Sequence, residues 1–138
     1  MMGRKFVNGV EGGSVSVDDR GLQYGDGLFE TMGATNGRVR RFQSHMERLT
    51  EGCHRLGMPP PPVDLIETDC LRALEGFGAA VVKLTLTRGP GPRAYPPPAE
   101  PSLTRIVVST AQQVSESEAA RPLILRVCET RLGRNPRL

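Results

Sequence analysis

Three groups of residues have types and spacings that could carry chemistry. The segment 19–31, DRGLQYGDGLFET, packs three glycines around Asp26 and runs at once into a strand pattern. Asp26-Gly27 is an ordinary turn signal, so the segment reads as a tight turn feeding a strand, with Asp19 and Arg20 free to form a surface ion pair of small worth. Arg48, three residues after His45, falls in the first turn of a predicted helix, where the helix dipole offers a cation nothing. It is either part of a solvated face, paired with Glu47 or Glu51, or a guanidinium clamped on an anion with help from free helix N–H groups. His45 fits a helix-start or packing histidine, because only His54, on another face, could join it. The segment 87–95, TRGPGPRAY, sets Arg88, Arg93 and Tyr95 on a Gly/Pro-rich loop after a strand. That is a surface loop with incidental arginines, or a carboxylate trap made of a guanidinium and a phenol.

Other reactive side chains offer less. Lys83 alternates out of phase with Val82, Leu84 and Leu86, which puts it on the solvent side of a strand rather than in the place of a Schiff-base lysine, and Lys5 near the terminus is no better. Cys53, Cys70 and Cys128 are an odd number at wide spacings, without a CxxC or a nearby His pair, so they read as buried free thiols and no metal site is expected.

The elements that must position these groups follow from turn residues and periodicity. Residues 5–7 and 14–17, on either side of Asn8-Gly9, suggest one hairpin, and 28–34 with 38–42 around Asn36-Gly37 a clearer one, since Asn-Gly supplies two positive φ angles. Ser44 and Glu47 form a capping box, and Met46, Leu49, Cys53 and Leu56 continue at helical spacing up to Gly57 and the prolines 59–62. A second helix runs from 64 to about 75, with Gly76 at its end. Strands follow at 80–87 and 104–110, joined by a loop with six prolines between Pro90 and Pro101. A break in composition over 111–121 reads as a linker, and 123–128 as the first strand of something further, with an uncovered edge. The expected organisation is an α+β domain over 1–112, an antiparallel sheet with two helices; an interdomain linker over 113–121; and the start of a second domain over 122–138.

Composition narrows the classes. The chain has 138 residues, 18 basic against 15 acidic side chains and 38% hydrophobic residues, enough for one domain with a core. Its apolar runs fall far short of the ~20 residues needed to cross a bilayer, no secretory signal is readable, and the net charge of +3 does not point to nucleic acid. A cytoplasmic location is expected. All but two of the basic residues are arginine, which suits bidentate binding of carboxylate or phosphate.

Taken together, the segment 19–31, the F-x-x-H-x-x-R-L pattern at 42–49, the loop 87–95 and RLGRNPRL at 131–138 resemble class IV aminotransferases, the fold type IV pyridoxal-phosphate enzymes. The resemblance covers essentially the whole chain in the right order. Within that family, GDGLFET and LGRNPRL look like 4-amino-4-deoxychorismate lyases, which eliminate pyruvate to give 4-aminobenzoate for folate synthesis. The GDG turn and the GPRAY loop are shared with D-amino-acid aminotransferases, so a D-amino-acid or branched-chain aminotransferase is the nearer alternative, and a non-catalytic anion-binding or interaction module the more distant one.

Carried over residue by residue, the resemblance makes Arg48 the grip on the phosphate of pyridoxal 5'-phosphate, Phe29 an aromatic wall of the site, and Arg93 and Tyr95 binders of a substrate carboxylate, with Arg88 left structural. It implies a small-molecule substrate, aminodeoxychorismate or an amino acid, and a homodimer with the site between two domains. The family lysine that carries the cofactor follows LGRNPxL, about four residues past Leu138, so this chain is expected to be an N-terminal portion, inactive as a lyase alone.

Overall fold

The computed structural model describes residues 3–93, 95–112, 122 and 124–130. Two-residue turns start the sheet. Asn8 (φ 49°) and Gly9 (φ 83°) join β1 (Lys5–Val7) to β2 (Val10–Glu11), and Asn36 (φ 51°) and Gly37 (φ 71°) join β3 (Gly27–Thr35) to β4 (Arg38–Val39). Both Asn-Gly turns sit where the sequence puts them, but the partner of β1 is Val10–Glu11 and not 14–17. A two-residue turn fixes pairing immediately, as Phe6 opposite Glu11 and Val7 opposite Val10, and Val17 stays exposed with nothing to bury it. The second hairpin is likewise shorter than expected: β4 stops at Val39, and Arg41 turns the chain into a helix.

β5 (Ala79–Thr87) and β6 (Thr104–Ala111) complete a six-stranded antiparallel sheet in the order β2-β1-β6-β5-β3-β4. β5 is central, pairing along its length with β3 and β6. Its residues alternate, so that Ala80, Val82, Leu84 and Leu86 are buried on one face while Lys83 is exposed on the other. Against the buried face lie α2 (Phe42–Leu56), through Met46, Leu49 and Cys53, and α3 (Val63–Ala73), through Ile66, Cys70 and Ala73. Phe6, Met32 and Val107 finish the core from the sheet side.

Four expectations change. The helix α2 begins at Phe42, with Arg41 as its N-cap and no side-chain cap bond, so Ser44 and Glu47 lie inside it and form no capping box; the half-buried Phe42 ring packs on the core and draws the helix start forward. A third helix, α1 (Arg20–Tyr24), stands where a simple turn is expected; the Asp19 carboxylate caps it at the Gly21 N–H (2.8 Å), and left-handed Gly25 ends it. Cys53 and Cys70 are buried, but Cys128 is exposed. Of the strand expected over 123–128, Leu123 lies outside the described residues and 124–128 join no ladder, with Ile124, Leu125 and Val127 at least nine-tenths exposed; a strand needs a neighbour to bond to, and none of the six takes it. The expected linker, 113–121, also lies outside the described residues, as does the LGRNPRL motif. Among the described residues, no helix is long and apolar enough to cross a membrane.

Candidate active site

A buried carboxylate organises the site. Glu30 lies on β3 with the same parity as Met32 and Ala34, so its side chain enters the layer between sheet and α2. Taking a carboxylate out of water is costly unless it is paired and hydrogen-bonded. Here Arg48 donates Nε–H to Oε1 at 2.8 Å and Nη2–H to Oε2, a bidentate pair, while His45 Nδ1 stands 2.6 Å from Oε2. Burial pushes the Glu30 carboxyl up, but the bonds from Arg48 and then His45 outweigh it and hold the group below its ordinary value. Because α2 starts at Phe42, Arg48 falls in its second turn rather than its first.

Arg48 therefore has a partner the sequence reading did not supply, in place of Glu47 or Glu51. Its side chain remains 69% exposed all the same, because Glu30 takes only the Nε and Nη2 edge of the guanidinium. Nη1 makes no hydrogen bond among the described residues and lies open to an anion. The guanidinium lines a cleft of about 490 Å³ along the free outer edge of β3, with Phe29, Leu28 and Gly52 among the other walls. That edge is open because β4 pairs only with Ala34 and Thr35. Phe29 is largely exposed, on the sheet face opposite the core, and Lys83 Nζ sits 5.1 Å above its ring.

A second, half-buried carboxylate holds the neighbouring loop. Asp26 Oδ2 accepts from Arg20 Nε at 2.9 Å and from Arg88 Nε at 2.8 Å. Burial raises its pKa, and the Arg88 and Arg20 bonds more than reverse that. Arg88 also donates to the carbonyls of Leu56 and Gly57 at the end of α2, at 2.8 and 3.1 Å, so it is structural as expected. Asp19 and Arg20 are no surface ion pair: both are buried, Arg20 bonding Asp26 while Asp19 accepts from the Gly21 N–H and the Thr87 hydroxyl.

Of the four expected site residues, Phe29 and Arg48 share the cleft. Arg93 and Tyr95 stand exposed on the loop after β5 and do not line it. Glu30 is the residue that sequence reasoning passed over, while Lys83 is exposed on the solvent side of β5 as its alternation predicts. An acid at a core-parity position of a strand was the available signal for Glu30.

The amino-transferase class IV family model matches residues 27–137. The chain belongs to the class IV aminotransferase family. Among its class IV relatives, aminodeoxychorismate lyase of Vibrio harveyi is 34% identical over 136 residues, covering 96% of this chain and 49% of that protein. D-alanine aminotransferase of Listeria innocua is 28% identical over 113 residues, covering 76% and 38%. The crystal structure of 4-amino-4-deoxychorismate lyase from Pseudomonas aeruginosa superposes with a TM-score of 0.73 at 39% identity, covering 83% of this chain and 42% of that one. The α+β fold is thus the one this class IV lyase uses, and the chain spans about half the length of the relatives it matches.

Proposed function

We propose that this chain supplies the phosphate clamp and one wall of the active site of a pyridoxal-phosphate-dependent 4-amino-4-deoxychorismate lyase. The observation that carries the reading is Arg48, anchored by the buried Glu30 pair yet presenting a free guanidinium edge to a cleft walled by Phe29. The likeness to two lyases over most of the chain supports the reaction class.

The residues present fit the cofactor. A phosphate needs a fixed cation with donors left over, which is the state of Arg48, and a planar ring needs an apolar wall, which Phe29 offers. When bound, pyridoxal phosphate supplies an electron sink for breaking bonds next to an amine-bearing carbon. Glu30 keeps Arg48 in one orientation, so little ordering remains to be done when the phosphate arrives. On the loop, Arg93 and the Tyr95 phenol bind a substrate carboxylate. The overall reaction is 4-amino-4-deoxychorismate to 4-aminobenzoate plus pyruvate. The reading also takes 1–112 as one domain, 113–121 as a linker and 122–138 as the start of a cofactor-binding domain, in a cytoplasmic homodimer.

Aminotransfer is the second reading, favoured by the GPRAY loop and the D-alanine aminotransferase relative. The protein at its full natural length separates the two. Release of pyruvate and 4-aminobenzoate in equal amounts supports the lyase. Transfer of the amino group to a 2-oxo acid, without 4-aminobenzoate, supports the aminotransferase.

A further inference from the structure

The loop that carries Arg93 and Tyr95 contains five prolines between Pro90 and Pro98 and belongs to no strand, yet its base is held at several points by residues 18–20. Gly91 N–H donates to the Asp18 carbonyl at 3.2 Å, Asp19 and Pro90 form an isolated antiparallel bridge, and Arg20 N–H donates to the Gly89 carbonyl at 2.9 Å. Farther along the loop, Arg20 Nη2–H reaches the backbone carbonyl of Tyr95 at 3.2 Å. The stem of Arg20 lies flat against Gly91, where an added Cβ would stand 3.2 Å from Cδ.

Arg20 can do this because Asp26 fixes its other edge. Nε is tied to the Asp26 carboxylate, which also holds Arg88, and Arg88 in turn holds the end of α2, the helix that carries Arg48. One half-buried carboxylate therefore gives the phosphate-side helix and the loop a common reference. A long loop left to itself samples many conformations, and ordering it on binding would cost affinity.

We infer that Arg20 is a positioning residue: it pins the backbone at Tyr95 and so aims the Arg93 and Tyr95 side chains at the substrate. This rests on the proposal that those two side chains bind a substrate carboxylate, but the pinning itself can be read without any substrate.

The test uses Arg20→Lys, which keeps a cation for Asp26 but has no second arm to bond the Tyr95 carbonyl while doing so. Arg88→Lys is the control, since it perturbs the same carboxylate without contacting Tyr95. In the protein at its full natural length, Arg20→Lys is expected to speed hydrogen exchange of the Gly91 amide, which donates to the Asp18 carbonyl, by about tenfold while β5 and β6 keep their protection, and Arg88→Lys to leave Gly91 within about twofold. KM for the amine substrate should rise about tenfold with kcat little changed. Unaltered exchange of the Gly91 amide in Arg20→Lys, or equal loosening in both variants, overturns the inference. Should Arg20→Lys not fold, Gly91→Ala, which pushes on the Arg20 stem from the loop side, is read by the same exchange measurement with the same two outcomes. Faster exchange in Arg20→Lys, with KM indifferent to Arg93→Gln and Tyr95→Phe, upholds the pinning and removes the loop from substrate binding instead.

Discussion

Glu30 Oε1 accepts from Arg48 Nε at 2.8 Å, linking a buried position of β3 to an exposed position of α2 across eighteen residues of chain. The pair joins burial to function, because the carboxylate is inside the protein and the far edge of the cation is at the cleft.

Removing Arg48 leaves the Glu30 carboxylate buried with His45 alone. Arg48→Ala is expected to lower stability measurably at neutral pH, because it strips both guanidinium hydrogen bonds from a buried carboxylate. Arg55→Ala removes only the exposed i,i+4 pair with Glu51 and should cost no more than about 0.5 kcal/mol. Urea unfolding of both variants checks the contrast.

The acid response follows from the same groups. Glu30 and Asp26 are both held below their ordinary values. A group depressed in the folded state binds its proton more readily when unfolded, so its contribution is complete above the unfolded pKa of about 4 and is lost as the pH falls through the folded value. Stability should therefore drop as the pH falls below about 4, and Glu30→Gln should flatten that drop while lowering stability at pH 7. A urea series across this range measures both.

How much of this was legible in the sequence depends on the distance over which each signal acts. Asn8-Gly9 and Asn36-Gly37 marked both hairpins because a tight turn is specified by its own two residues. The alternation through Val82, Leu84 and Leu86 marked β5, since burial on one face of a strand is written in its period. What was missed is tertiary. The helix start moved from Ser44 to the Phe42 region because an aromatic ring found the core, overriding a local capping pattern. Arg48 was visible as a cation in an odd place, but Glu30, which explains how it is held, sits on another element with no local pattern to join the two.

Backbone approach separates the glycines. At Gly89 (φ +84°) a Cβ would fall 1.6 Å from the Ser102 carbonyl oxygen, with backbone that cannot yield cheaply, whereas at Gly37 (φ +71°) nothing lies within 4 Å. Gly37→Ala should cost about 1 kcal/mol of backbone strain, and Gly89→Ala should displace the base of the loop and cost several-fold more. Thermal unfolding midpoints of the two variants give the comparison.

The thiols should differ sharply in reactivity. Burial pushes Cys70 up to about 12 and raises Cys53, while Cys128, exposed, is lowered by the backbone and then the side chain of Thr130. Thiolate is the reacting form. A thiol reagent at neutral pH should label Cys128 first, and Cys53 and Cys70 only at the rate of unfolding, which peptide mapping after timed alkylation resolves.

The central claim is that Arg48, braced by Glu30, grips the cofactor phosphate. Its most direct test compares the affinity of the full-length protein for pyridoxal 5'-phosphate and for pyridoxal, which lacks the phosphate, in wild type and Arg48→Ala. The account predicts that the variant loses about tenfold or more in affinity for the phosphorylated form and little for pyridoxal; equal losses for both, or no loss for either, would contradict it.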